Sequence, residues 1–164
     1  MTDDFTDRLL ARWQDARPDI EVGDLQVTAR LARIGPLLAR RQEAVFERFG
    51  LSRGEVGMLS ALRTAGPPHR LSPTRLGQGL MLSSAGVTSR LDRLERRGFV
   101  ERLPDPEDRR GVIVELTDAG LEVVDAAVAA NSISDRQLMD RFDPHELEVL
   151  EVLLRKLLGG LEAP

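Results

Sequence analysis

Apolar residues recur every four positions at Phe5, Leu9 and Trp13, the spacing of one helix face, and Pro18 ends that run. From about Asp24 to Phe49, Leu25, Leu31, Ile34, Leu38, Val45, Phe46 and Phe49 approximate the same period, which predicts a longer helix kinked at Pro36 and closed by Gly50. Ser52-Arg53-Gly54-Glu55 is a capping box, in which hydroxyl and carboxylate each satisfy a backbone donor of the other residue, ahead of Val56, Leu59 and Leu62. After the turn Gly66-Pro67-Pro68, Ser72 is an N-cap before Pro73 at the first helical position, and a short helix runs to about Gly79. Ser83 or Ser84 caps a fifth helix through Arg97, with Gly98 where a left-handed residue closes the helix. The period then changes. Phe99 to Leu103 and Val112 to Leu116 are β-rich runs flanking the polar stretch Pro104 to Gly111, so they form a hairpin. Thr117 caps a long helix reaching about Phe142, and Asp143-Pro144-His145-Glu146 starts a last helix that Gly159-Gly160 frays. The chain is therefore expected to be mainly α with a small β-hairpin after a helix pair.

On a wheel of the fifth helix, Val87, Leu91 and Leu94 fall on one side and mark its buried stripe. The opposite side carries Ala85, Ser89, Asp92 and Arg96, flanked by Thr88 and Arg93. Small and polar residues of this kind let a helix enter the major groove of DNA, roughly 12 Å wide, although a solvated face with an Asp92–Arg96 ion pair has the same pattern. The capped helix pair followed directly by an arginine-bearing hairpin favours the DNA reading. An arginine at such a tip can enter the narrow minor groove, where negative potential is strongest, while Asp105 or Asp108 holds it by ion pairing.

Composition narrows the alternatives. With 164 residues, 41% hydrophobic and 30% charged, the chain is expected to fold as one unit. No apolar run approaches the roughly 20 residues that span a bilayer, and the acidic start Met1-Thr2-Asp3-Asp4 is unlike a signal peptide, so the cytoplasm is the expected location. The absence of cysteine removes disulfides, thiolate metal sites and thiol nucleophiles. Two histidines, His69 and His145, cannot build a histidine-rich metal site, and no cofactor is expected. A net charge of −4 argues against a protein that coats nucleic acid indiscriminately. Residues 70–91 nevertheless hold Arg70, Arg75 and Arg90 and no acid, whereas the first thirty residues hold seven carboxylates against four arginines. All the basic residues except Lys156 are arginine, so a lone arginine carries little information.

The stretches Leu71 to Leu76, Gly86 to Gly98, Asp105 to Gly111 and Leu116-Thr117-Asp118-Ala119-Gly120 resemble regulators of the multiple antibiotic resistance (MarR) type across nearly the whole chain. The most specific piece is Asp108-Arg109-Arg110 leading through a β-run into Leu-Thr-x-Ala-Gly. The resemblance implies a homodimeric winged helix-turn-helix repressor that binds a palindromic operator in double-stranded DNA. Residues 1–50 and 117–164 would supply dimerisation helices and 51–116 the DNA-binding lobe of one 1–164 domain. It also implies that Ser84, Thr88, Ser89 and Arg93 meet the major groove, that Arg109 and Arg110 serve the wing braced by Asp108, and that Arg75 contacts phosphate. Without cysteine, thiol-based oxidant sensing is removed and a small-molecule effector is the expected signal.

The resemblance is closer to the urate-responsive branch of that family, which carries an extra N-terminal helix with a tryptophan. Trp13 matches the tryptophan and Arg90 the arginine of its ligand site, but Gly57 and Ala65 stand where that branch has an acidic residue and an asparagine. An aromatic, anionic effector between Trp13 and Arg90 is expected, with urate itself weak; ordinary packing of Phe5, Leu9 and Trp13 is the competing account of the tryptophan. Two other readings stay open: a winged-helix protein-interaction module without an effector, disfavoured by the acid-free 70–91 segment, and an enzyme, for which no nucleophile–base pair can be named.

Overall fold

The computed structural model describes residues 3–80, 83–106, 108 and 111–162. The elements are α1 (Phe5–Ala16), α2 (Leu25–Phe46), α3 (Arg53–Thr64), β1 (Arg70–Leu71), α4 (Pro73–Gly79), α5 (Ser84–Arg96), β2 (Val100–Pro104), β3 (Val112–Leu116), α6 (Asp118–Met139) and α7 (Pro144–Glu162). The result is a mainly helical winged-helix fold with one small antiparallel sheet of order β1-β3-β2.

Local chemistry sets most boundaries. Asp4 and Asp7 form a capping box on α1, Ser52 and Glu55 on α3, while Ser72 accepts the Arg75 N–H and Thr117 the Gly120 N–H. The choice left open at the start of α5 is decided: Ser83 is the cap, its hydroxyl accepting the Gly86 N–H at 3.2 Å, and Ser84 is the first helical residue. At the other end Gly98 takes φ +73°, its N–H reaching Glu95 O at 2.9 Å while Phe99 N–H reaches Leu94 O at 3.0 Å, the paired bonds of a Schellman closure.

Four expectations need correction. α2 ends at Phe46 and tightens into a 3₁₀ turn, Glu47–Phe49, before Gly50. α6 stops at Met139, three residues early. α7 continues through Gly159 and Gly160 to Glu162, because glycine costs about 1 kcal/mol per position in a helix but removes no donor, so nothing forces a stop. The hairpin gains a third strand, β1, paired through Arg70↔Glu115 and Leu71↔Val114; two residues are too few to show a period.

One core joins the end of α2, α3, α4, α5, the sheet and the first half of α6. Leu51, Met58, Leu59, Leu62, Leu76, Leu91, Leu94, Val100, Val114 and Val124 are fully enclosed there. The predicted α5 stripe, Val87, Leu91 and Leu94, belongs to it. α1 is held to α2 by Arg30, which pairs with Asp4 and Asp7 at 2.9 and 2.6 Å, and by Arg33 stacked over Phe5. α7, in contrast, buries none of its residues and leaves Val152, Leu153, Leu158 and Leu161 in solvent.

The Leu-Thr-x-Ala-Gly segment fastens α6 to the hairpin. Thr117 N–H donates to Phe99 O at 3.1 Å and the Thr117 hydroxyl to Gly98 O at 2.7 Å. Gly120 then passes so close that a Cβ there would lie 2.0 Å from Phe99 O, which only glycine allows.

Candidate nucleic-acid interface

α5 presents Ser84, Ala85, Thr88, Ser89, Asp92, Arg93 and Arg96 to solvent, the face expected from the wheel, with Arg90 half-buried at its shoulder. Three small residues at its leading end leave this surface shallow. Ala85, Thr88, Ser89, Asp92, Arg93 and Arg96 line one groove on it, and Ser84 with Thr88 shares a second groove with Pro73, Thr74 and Gln78 of α4. Arg75 is exposed on α4, one turn from its cap.

The Asp92–Arg96 ion pair of the competing, solvated-face account does not form. Arg96 Nε donates to the Asp92 backbone carbonyl at 3.1 Å, whereas the Asp92 carboxylate accepts Arg102 Nη2 at 2.6 Å. The other arm of Arg102 binds Glu95. Burial works against the Arg102 cation, but its hydrogen bond to Asp92 and the charges of Glu95 and Asp92 outweigh it and hold its pKa above the ordinary value. Arg102 on β2 thus clamps the hairpin to α5 and neutralises two carboxylates beside the exposed face. Sequence reasoning missed this residue; its position on a strand carries no signal that it faces a helix seven residues earlier.

Arg93 is likewise held from behind. Its Nε donates to Glu55 at 2.9 Å and its Nη1 to Ser89 Oγ at 3.3 Å, while 45% of the side chain stays exposed. Desolvation alone would raise the Glu55 pKa. The Ser52 N–H, Arg93 and the Ser52 hydroxyl together outweigh it and hold the carboxyl below its ordinary value. At the end of α5, Arg97 donates to Gly50 O at 2.6 Å and stacks on Phe99.

In the wing, Asp105 N–H donates to Gly111 O at 3.1 Å and Gly111 N–H to Asp108 O at 2.8 Å, so Asp108 sits in the turn that closes the tip. Arg109 and Arg110, the residues expected to serve the wing, lie outside the described residues.

Residues 49–111, the segment holding α3 to the wing, match the sequence profile of the MarR family. The transcriptional regulator PecS of Dickeya dadantii is 34% identical over 154 residues, covering 94% of this chain and 90% of that protein. The chain belongs to the MarR family. The transcriptional repressor YetL of Bacillus subtilis is 31% identical over 143 residues, 87% of this chain and 83% of that one. Among solved structures, the Streptomyces coelicolor MarR-family regulator Sco3205 in complex with DNA superimposes with a TM-score of 0.76 at 26% identity, covering 88% of this chain and 94% of that one. A mutant of Escherichia coli MarR complexed with operator DNA gives 0.69 at 26%, covering 89% and 97%.

Within this MarR-family chain the two residues expected to bind an effector lie on different elements. Arg90 donates to Gly86 O at 3.0 Å and lines a groove between α3 and α5 with Arg53, Gly54, Gly57 and Leu80. Gly57 lines the same groove as Arg90, but it is Gly54 whose Cβ position lies against the Arg90 side chain. Ala65 caps the far end of α3, and Trp13 is 47% exposed on α1. Among the described residues no helix is long and apolar enough to cross a membrane, and no group of His, Asp or Glu could hold a metal ion.

Proposed function

We propose that the protein is a cytoplasmic transcriptional repressor that binds a palindromic operator as a homodimer, with its DNA affinity lowered by a small aromatic, anionic effector. The observation that carries the DNA reading is the exposed face of α5, small and polar at Ser84, Ala85, Thr88 and Ser89, cationic at Arg93, standing on a buried apolar stripe and followed directly by a wing. Solved relatives bound to DNA support it. In this reading Ser84, Thr88, Ser89 and Arg93 meet the major groove, Arg75 a phosphate, and Arg109 and Arg110, with Asp108 bracing them, the minor groove. Most of the enclosed core lies within residues 51–116, which supports them as the DNA-binding lobe.

The unburied apolar stripe of α7 supports dimerisation through residues 1–50 and 117–164, since a helix with so many exposed leucines is stable only when another surface covers it. We assign the effector to Arg90 and Trp13. Its anion meets Arg90 at the shoulder of α5, so that binding shifts the recognition helix, and coupling between effector and operator is reciprocal.

Footprinting on the DNA upstream of the protein's own gene tests the reading. Two half-sites with centres about 34 Å apart, one helical turn, are expected; protection of one asymmetric half-site by a monomer refutes it. Trp13→Ala and Arg90→Ala are each expected to blunt effector response, and unchanged sensitivity in both removes the effector assignment. Urate is expected to leave the complex intact, because Gly57 and Ala65 supply no polar side chain.

A further inference from the structure

We infer that Glu55 is a positioning residue for DNA recognition: its carboxylate, shared between the start of α3 and Arg93 of α5, sets the angle at which the recognition helix presents that arginine. The inference rests on the reading of α5 as the recognition helix.

A capping box needs only one carboxylate oxygen, and Glu55 Oε2 does that work by accepting the Ser52 N–H and hydroxyl, each at 2.8 Å. The second oxygen, Oε1, accepts Arg93 Nε at 2.9 Å across 38 residues of chain. Glu55 is 5% exposed, so its charge is removed from water and both oxygens must be satisfied. A guanidinium is planar with its donors in a fixed fork. Holding Nε on Glu55 and Nη1 on Ser89 therefore fixes the plane of Arg93 and leaves its outer edge for a base or phosphate. The neighbouring carboxylate Glu43 is already engaged by the Arg53 N–H at 3.0 Å, which leaves Glu55 as the anchor of Arg93. Arg93 lines both the outward groove of α5 and the grooves on the α3 side, so it sits at the seam where this anchoring has an effect.

Glu55→Gln separates the two roles. The amide oxygen can still cap Ser52, but the amide NH₂ then faces Arg93 Nε, donor against donor. Fluorescence anisotropy with the footprinted upstream fragment and with random-sequence DNA would compare wild type, Glu55→Gln, Arg93→Ala and the double variant. Each single variant is expected to lose about tenfold in operator affinity with little change on random DNA, and the double variant no more than Arg93→Ala alone. Losses that multiply, to about a hundredfold in the double variant, would show that Glu55 acts through α3 only and overturn the inference. If Glu55→Gln melts early, Arg93→Lys leaves the cap intact and removes only the fork; wild-type discrimination in that variant overturns the inference equally. Wild-type protein that binds the upstream fragment no better than random DNA would refute the DNA reading itself, a result distinct from multiplying losses.

Discussion

Replacing Gly120 with alanine drives a methyl group into the root of the wing. The new Cβ would lie 2.0 Å from Phe99 O, and contacts under 3.0 Å essentially do not occur, so backbone must part from backbone by about 1 Å. The obstacle cannot rotate away, because Phe99 O also accepts the Thr117 N–H and the Thr117 hydroxyl is bound to Gly98 O. Overpacking of this kind costs about 1–3 kcal/mol, and the two strained hydrogen bonds add about 0.5–1.5 each. Alanine returns about 1 kcal/mol through helix propensity. A net loss of about 3 kcal/mol is expected, together with weaker operator binding because the wing moves relative to α5. Urea denaturation at one fixed protein concentration measures it, so that any self-association is the same in every variant. Gly79→Ala is the control: it is also helical, but a Cβ there meets nothing within 4 Å. Equal midpoints for the two variants would refute the reasoning.

Arg102→Ala is expected to lower stability by no more than about 1 kcal/mol, as for other partly exposed ion pairs, yet to weaken operator binding clearly in a gel shift, because Asp92 and Glu95 are left unneutralised beside the exposed face of α5 proposed to meet DNA. Arg102→Lys restores only part of the binding, since an ammonium cannot fork to two carboxylates. Arg110→Ala is expected to cost about 1–3 kcal/mol of operator affinity, a loss that shrinks as salt rises in a titration. Because the Glu55 pKa in the folded chain lies below its ordinary value of 4.5, its stabilisation is complete above that pH and lost as pH falls through the folded value. The difference in denaturation midpoint between wild type and Glu55→Gln should be constant above pH 4.5 and shrink as the pH falls below it.

Much of the fold was legible because its signals are local. A cap, a proline at a helix start and a left-handed glycine each act within about four residues, so Ser52-Glu55, Ser72-Pro73, Gly98 and Asp143-Glu146 marked element ends correctly. The helical period likewise separated the buried Val87, Leu91 and Leu94 from the exposed Thr88, Ser89 and Arg93. These features depend only on neighbours along the chain.

The partners of the charged residues were decided by the tertiary structure. In a chain whose cations are nearly all arginine, composition does not distinguish Arg102, which bridges α5 and the wing, from any other, and the i,i+4 spacing of Asp92 and Arg96 allowed a pair that packing replaces with Asp92–Arg102. Glu55 read as a cap and no more, because Arg93 reaches it only once α5 packs across α3. β1 exists only because β3 offers it an edge. The need for glycine at 120 arises from the approach of a backbone 21 residues away. Propensity and period report what a segment prefers by itself, whereas an ion pair or a steric limit between distant segments is set by the packing that brings them within a few ångströms.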